Sequence, residues 1–174
     1  MGSGSSPHTE RAAPIGRWLA ELGVHLLTGG GGGVMAAVSQ AFSETQPRLG
    51  SVIGIIPSGS DAVEPKSGYP NPWVEIPIFT HLPLSGIRGT DPLSRNHVNV
   101  LSSDVIIALP GGAGTASEAR LALAYGRPIV AFVSSTAQIP GLSKQIACRA
   151  TLQQVAEFVR ARLGERLRGQ READ

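Results

Sequence analysis

A glycine-rich loop joins an apolar segment to a helix-forming segment, and this junction restricts the fold more than any other feature. Residues 104–109 form a nearly continuous apolar run, which is typical of a strand buried between helices on both faces of a parallel sheet. The run leads into the loop 110–115 and then into residues 116–125, which have helical composition and precede Gly126, a typical C-cap residue. We therefore predict a strand, a loop and a helix in direct succession.

Such a loop exposes backbone N–H groups at the start of a helix, where the helix dipole favours an anion. We therefore predict a phosphate site, whose candidate residues are Gly111, Gly112, Ala113, Gly114 and Thr115. Glu118 lies in the first turn of the predicted helix and Arg95 precedes the strand, so the fold could bring both to the loop. Either residue alone also has a common structural explanation, a surface cation or an acid that complements the helix dipole.

Apolar runs alternate with amphipathic segments, which predicts an α/β fold with a doubly wound, Rossmann-like, mostly parallel sheet flanked by helices. The predicted strands cover residues 24–27, 51–57, 73–80, 104–109 and 128–133. The predicted helices include residues 92–102, capped by Thr90 or Asp91, then 116–125 and 151–163. At 174 residues the chain is expected to form one nucleotide-binding domain, residues 1–174, with residues 164–174 as a frayed tail.

A second glycine stretch, residues 28–33, also lies between a predicted strand and a predicted helix. It satisfies the GxGxxA pattern of dinucleotide sites, but the acidic residue expected about twenty positions later is absent. We therefore interpret Gly30, Gly31 and Gly32 as a tight turn close to a nucleotide, with helix packing alone as the alternative. Both glycine loops follow strands, so the pocket is expected between them, at the carboxyl edge of the sheet.

Composition excludes several classes of partner. A net charge of +2 does not indicate nucleic acid binding, and no run reaches the ~18 apolar residues of a membrane helix. The four histidines lack metal-ligand spacing, so we predict no metal site and no cofactor. Cys148 is the single cysteine, which excludes an intrachain disulfide and fits a reducing, cytoplasmic location.

Four segments, in the same order, resemble the LOG (Lonely Guy) proteins, formerly described as lysine decarboxylase-like. Residues 110–118, PGGAGTASE, match the PGGxGTxxE signature, and residues 29–35 and 52–57 resemble the first glycine stretch and the VIGVIP strand. Arg95 occupies the position of the upstream arginine, so the resemblance covers roughly residues 24–133. It implies a homo-oligomer, a dimer or larger, with the pocket near the subunit interface.

The resemblance also implies hydrolysis of the N-glycosidic bond of a nucleoside 5′-monophosphate, which gives a free base and ribose 5-phosphate. Glu118 would stabilise the cation-like ribose and orient or deprotonate the water, and Arg95 would hold the phosphate or assist the departing base. Thr115 and the loop amides would bind the phosphate, and Ser5 and Ser6 would add contacts to the ribose or phosphate.

The first residues have two interpretations. They resemble an expression-tag remnant, which would carry no function. They also resemble the GSS turn that follows the first strand of LOG-like proteins, since a helix begins directly afterwards, with Ile15, Trp18, Leu19 and Leu22 at helical spacing. We favour the second interpretation, in which the sheet lacks its first, central strand within this chain.

Three positions differ from the cytokinin-activating LOG proteins. Asn96 replaces a lysine, Ala113 replaces a tyrosine, and Ser117 replaces the first of two glutamates. We expect Asn96 to be a further binding residue. An Arg-Asn pair also resembles a sister branch of the superfamily that includes molybdenum cofactor carrier proteins, which bind a phosphorylated pterin without evident turnover. A non-catalytic carrier for a phosphorylated ligand therefore remains the alternative to the hydrolase, and a nucleotide-sensing module is a third possibility.

Overall fold

The computed structural model describes residues 1–61 and 63–171. The helices are α1 Thr9–Leu22, α2 Val34–Ser43, α3 Asn96–Leu101, α4 Ala113–Ala124 and α5 Leu152–Arg171. The strands are β1 Leu26–Thr28, β2 Val52–Ile56, β3 Ile76–Phe79, β4 Ile106–Ala108, β5 Ile129–Phe132 and β6 Ala147–Arg149. Short 3-10 turns occupy Gly86–Arg88 and Thr136–Gln138.

The strands form two three-stranded sheets, ordered β1-β2-β3 and β4-β5-β6, and every strand pairing within them is parallel. The helices α2 and α4 connect β1 to β2 and β4 to β5, as parallel neighbours require. The predicted α/β fold with a mostly parallel, helix-flanked sheet is therefore confirmed.

Helices cover both faces of the β4 sheet, because successive residues of β5 contribute to two different cores. Val130 and Phe132 pack with residues of α1, α2 and α5, whereas Ile129 and Ala131 pack with residues of α3 and α4. Full burial of an aliphatic or aromatic side chain contributes roughly 1.5–3 kcal/mol. The apolar run 128–133 therefore becomes a strand buried on both faces.

A gap separates the two sheets at the place where the sequence suggested a missing central strand. β1 ends one sheet and β4 ends the other, and both line the same cavity. The chain start lies at one end of this gap, where Met1 and Ser3 form backbone hydrogen bonds to the segment 107–110. The gap is the point at which the strand order reverses, because β2 and β3 lie on one side of it and β5 and β6 on the other.

Three predicted helix ends differ from the structure by three residues or more. The predicted helix 92–102 begins at Asn96, because Asp91 instead accepts hydrogen bonds from Leu93 N and Arg88 in a preceding turn, so neither Thr90 nor Asp91 caps the helix. The helix after the glycine loop begins at Ala113, not at residue 116. The closing helix α5 extends beyond the predicted end at residue 163 to Arg171. The frayed tail expected at residues 164–174 stays a prediction, and residues 172–174 lie outside the described part.

The strand β6 was not predicted. Its three residues, Ala147–Arg149, are only partly buried and lie at the sheet edge beside β5, so they lack the continuous apolar pattern of a central strand. Across residues 1–61 and 63–171, none of the helices combines the length and apolar character needed to span a bilayer.

Candidate functional site

Two loops at the carboxyl ends of β1 and β4 define the candidate site. Thr28 ends β1 and is followed by the first glycine loop, which leads to α2, while Ala108 ends β4 and is followed by the second, which leads to α4. In doubly wound sheets, ligands bind at this edge, where the strand order reverses. A cavity of about 570 Å³ opens there and includes Gly29, Arg95, Asn96, Gly114 and Glu118 in its lining.

Arg95 is the buried cation of this cavity. It precedes α3 and is 3% exposed. Its guanidinium lies directly over Gly29, where an added Cβ would overlap both terminal nitrogens. Nε and Nη1 have no hydrogen-bond partner among the described residues. Burying an arginine with unsatisfied donors is costly, so these donors favour an anionic or acceptor-rich ligand in the cavity.

Glu118 faces Arg95 across the cavity. Its Oε1 lies 3.9 Å from Arg95 Nη1, and its side chain is 14% exposed. This distance is too long for a hydrogen bond, so the two groups attract each other electrostatically while Arg95 Nη1 has no hydrogen-bond partner among the described residues. The structure therefore brings together the two residues that the sequence selected as a catalytic pair.

The second glycine loop presents the start of α4. Gly112 is the N-cap residue and supplies no side-chain cap, and Ala113, Gly114 and Thr115 form the first turn. The first N–H groups of a helix have no partner within the helix, so this end can bind an anion. Thr115 is 2% exposed, and its Oγ1 has no partner among the described residues.

Gly111 and Gly112 line a second depression of about 330 Å³, together with Ser3, Ser6 and other residues. Ser3 N donates to Pro110 O at 3.0 Å, and Val34 N donates to Ser3 O at 2.9 Å, so this segment links the two glycine loops. Ser6 therefore lies beside the second glycine loop. Ser5 is exposed, and its Oγ lies 3.4 Å from Ser3 Oγ in the same turn.

The first glycine loop is held largely by the protein itself. Gly30 N donates to Thr28 Oγ1, Gly30 O accepts from Asn71 N, and Gly31 O accepts from Asn71 Nδ2. Gly30 has a φ of 71°, a conformation that favours glycine. Gly32 is exposed beside the N-terminal segment, where its added Cβ would lie 3.2 Å from Gly4 O. This loop forms a wall of the site and positions Arg95 through Gly29.

Asn96 is 2% exposed and lies in the cavity wall next to Arg95. Asn99 follows one helical turn after Arg95 and also lines the cavity. It is 7% exposed, and its Oδ1 has no partner among the described residues. The sequence placed Asn99 on the same side of the helix as Arg95, but its role in the site was missed because no motif includes it.

Tyr69 and Met35 also line the cavity and were missed. An added Cβ on Gly31 would lie 2.7 Å from Tyr69 Oη and 2.8 Å from Met35 Cε, so both side chains pack against the first glycine loop. Tyr69 comes from the long loop that the sequence marked only as functional or mobile, and the sequence gives no signal for its position. Tyr69 supplies an aromatic side chain to the cavity. In the glycine loop, Ala113 stands where the cytokinin-activating LOG proteins have a tyrosine.

The fold and the site define a class: a parallel α/β protein with a glycine loop and a helix terminus that has no side-chain cap, at the point where the strand order reverses. The model of the SLOG cluster4 family matches residues 1–160, and the chain belongs to this family. This match confirms the link to the LOG-like superfamily that the sequence motifs indicated.

Solved structures with the same fold include two from molybdenum cofactor proteins. The molybdenum cofactor binding protein of Rippkaea orientalis is 29% identical, with a TM-score of 0.66 over 92% of this chain and 93% of that one. The molybdenum cofactor carrier protein of Chlamydomonas reinhardtii is 26% identical, with a TM-score of 0.69 over 94% of this chain and 95% of that one.

An uncharacterized protein of Archaeoglobus fulgidus is 32% identical over 115 residues. The match covers 66% of this chain and 64% of the archaeal protein, so it spans less than two thirds of that relative's length.

Proposed function

We propose that this protein is a nucleoside 5′-monophosphate phosphoribohydrolase, which cleaves the N-glycosidic bond to give a free base and ribose 5-phosphate. The observation that carries the proposal is the position of Glu118 in a cavity that also contains Arg95 and the start of α4. A carboxylate beside an anion site weakens anion binding by repulsion. It becomes useful when the reacting sugar develops positive charge, because it then stabilises the transition state more than the ground state.

The roles follow from where the charge develops. As the glycosidic bond breaks, positive charge spreads over the ribose ring, and Glu118 stabilises it and orients or deprotonates the attacking water. The electron pair of the bond leaves with the base. Arg95 has unpaired donors, which hold the phosphate or hydrogen-bond to the departing base.

The phosphate is assigned to the start of α4. The amides of Gly112, Ala113 and Gly114 belong to the terminus that lacks a side-chain cap, and Thr115 contributes a buried hydroxyl with no partner in the described part of the chain. Gly111, Ser5 and Ser6 would complete its surroundings, and Asn96 and the loop of Gly30, Gly31 and Gly32 would close the opposite wall. This ligand would occupy the part of the cavity next to the glycine loops, since the rest of its volume of about 570 Å³ extends along the gap between the two sheets.

The test is release of free base from a panel of nucleoside 5′-monophosphates. We expect turnover with the wild-type chain and a loss of at least ~100-fold in kcat for Glu118→Gln. Ligand affinity should be retained or improved, because the substitution removes a negative charge. Glu21→Gln, at an exposed position of α1, is the matched control and should behave like wild type. Failure of the wild-type chain to release any base would refute the hydrolase.

A non-catalytic carrier is the second candidate, favoured by the similarity to the two molybdenum cofactor proteins over more than nine tenths of the chain. In this case the same anion site retains a phosphorylated pterin without forming a product. The carrier predicts stoichiometric co-purification or binding of molybdenum cofactor. Here Glu118→Gln should leave retention unchanged and no base release should occur, so one variant separates the two functions.

We also propose that the protein works as a homo-oligomer in the cytoplasm. Exposed apolar side chains on β3 are consistent with contact between subunits.

A further inference from the structure

One wall of the large cavity carries two side chains to which the proposed reaction gives no role. Tyr69 and Met35 both line the cavity, and both are partly buried. Their side-chain ends converge on Gly31, where an added Cβ would lie 2.8 Å from Tyr69 Cζ and 2.8 Å from Met35 Cε. This part of the cavity therefore presents an aromatic ring and a thioether to a ligand. We call these two side chains the aromatic wall.

Backbone hydrogen bonds fix the segment that carries Tyr69. This segment belongs to the long connection between β2 and β3. Tyr69 N donates to Lys66 O at 3.1 Å, and Asn71 N donates to Gly30 O at 2.7 Å. The second bond joins the segment directly to the first glycine loop. The backbone therefore places the tyrosine beside this loop without any ligand, so little ordering is needed when a ligand binds.

The aromatic wall lies close to the charged pair of the site. The guanidinium of Arg95 lies over Gly29, and Tyr69 lies over Gly31. Two residues of an extended chain span at most about 7 Å, so the two glycines place these side chains within the reach of one small ligand. Arg95 in turn faces Glu118. Along the first glycine loop, the cavity therefore changes from charged to aromatic.

We propose that Tyr69, held in place by Gly31 and Met35, is the specificity-determining residue that stacks on the flat heteroaromatic ring of the ligand. Aromatic faces stack on such rings, and a thioether packs well against them, whereas a sugar phosphate alone offers no flat ring. The inference rests on the phosphorylated ligand of the proposed function but not on its turnover. A nucleotide base and a pterin share the flat ring, so both candidate ligands would use the aromatic wall.

The test measures how much a ring adds to affinity. The ring-dependent gain is the Kd of ribose 5-phosphate divided by the Kd of a nucleoside 5′-monophosphate, both from calorimetric titration. A phosphorylated pterin, compared with inorganic phosphate, forms the second arm. Every chain carries Glu118→Gln, so that no ligand is consumed. We expect Tyr69→Ala to lower the gain at least ~5-fold, while the Kd of ribose 5-phosphate stays unchanged. Tyr69→Phe keeps the aromatic face and should keep the gain.

Gly31→Ala tests the same wall without removing the tyrosine. Gly31 lies outside the left-handed region, so its backbone accepts alanine, but the new methyl group would push Tyr69 and Met35 away. This variant should also lower the ring-dependent gain, and it covers the case of a Tyr69→Ala chain that does not fold. Tyr125→Ala is the matched control, because this tyrosine lines neither cavity and bonds to His97 instead. It should leave the gain unchanged.

Three results would overturn the proposal. Equal losses of affinity for the nucleotide and for ribose 5-phosphate in Tyr69→Ala would mean a purely structural role. A loss of the gain in Tyr69→Phe would assign recognition to the hydroxyl group and not to stacking. Absence of any ring-dependent gain in both arms, with Tyr69 intact, would leave the wall without a ring to bind. Base release by the wild-type chain is assayed separately, so a chain that binds the ring but releases no base refutes the hydrolase and supports the role of Tyr69.

Discussion

The contact between Gly29 and Arg95 connects the first glycine loop to the charge of the site. An added Cβ at Gly29 would overlap the guanidinium, which is the free end of a flexible side chain and can move away. We predict that Gly29→Ala lowers ligand affinity at least ~10-fold, about 1.4 kcal/mol, while the free energy of unfolding changes by less than ~2 kcal/mol.

Gly59→Ala is the matched control for this prediction, because Gly59 lines neither cavity. An added Cβ at Gly59 would lie no nearer than 3.4 Å to its neighbours, which is ordinary van der Waals contact. Calorimetric titration with a nucleoside monophosphate, alongside thermal unfolding, measures both quantities. Equal affinities for the two variants would show that the position of Arg95 does not control binding.

Asn99 provides a second test at the residue scale, because its buried Oδ1 has no partner in the described part of the molecule. We predict that Asn99→Ala weakens ligand binding by about 1 kcal/mol, roughly five-fold, with little loss of stability. Asn71→Ala is the contrasting variant, for which we predict a loss of stability rather than a loss of ligand affinity. Its side chain accepts from Trp73 N and donates to Gly31 O, so its loss should lower the unfolding free energy. A stability loss at Asn99 as large as that at Asn71 would argue for a purely structural role.

The residues of the site divide according to the kind of signal that they carry in the sequence. Arg95, Glu118 and the second glycine loop belong to local patterns, strand-loop-helix and PGGxGTxxE, which could be recognised without a structure. Asn99, Tyr69 and Met35 come from separate segments, and only the folded chain brings them to one cavity. The close approach of Arg95 to Gly29 is likewise a tertiary contact. A run of five glycines in the sequence does not indicate which glycine makes it.

At the scale of elements, long apolar runs predicted the strands β2, β4 and β5 well, because burial on both faces leaves a strong pattern. The short edge strand β6 and the start of α3 were not predictable in the same way. The strand β6 is only partly buried, and the start of α3 is displaced toward the C-terminus by the turn at Asp91. Propensity and spacing do not encode such local competition between a turn and a helix.

An ion pair connects the loop after α2 to the segment before β3. Arg48 bonds to Glu75, which also accepts from Val52 N at 2.8 Å. Burial raises the pKa of Glu75, but the bonds from Arg48 and Val52 outweigh it, so its pKa lies below the ordinary value of 4.5. A carboxylate with a lowered folded-state pKa contributes stability above 4.5, and this contribution disappears as the pH falls through the folded-state pKa.

We therefore predict that Glu75→Gln lowers the unfolding free energy at neutral pH, by less than ~1 kcal/mol because the pair is partly exposed. The difference between wild type and variant should shrink as the pH falls below 4.5. Denaturant unfolding between about pH 3 and pH 7 measures it. A difference that is constant across this range would mean that the charge of Glu75 does not contribute.

At the scale of the whole molecule, the candidate site lies between the two sheets. Gly29 follows β1 of one sheet, whereas Arg95, Glu118 and the start of α4 belong to the chain around β4 of the other. A ligand that contacts residues from both sheets therefore stabilises the position of one sheet relative to the other. At a concentration 100 times its Kd, such a ligand raises the free energy of unfolding by about 2.7 kcal/mol.

The outer edge of the first sheet exposes apolar side chains that a single subunit leaves uncovered. All four residues of β3 are exposed, including Ile76, Ile78 and Phe79, and an open apolar strand edge favours pairing with another chain. We predict that the protein self-associates through β3 and that Ile78→Lys shifts the sedimentation coefficient toward the monomer at micromolar concentration. Leu49→Lys, at an apolar position that is 91% exposed and outside β3, is the control. A monomeric wild type, or equal dissociation by both substitutions, would exclude β3 as the contact.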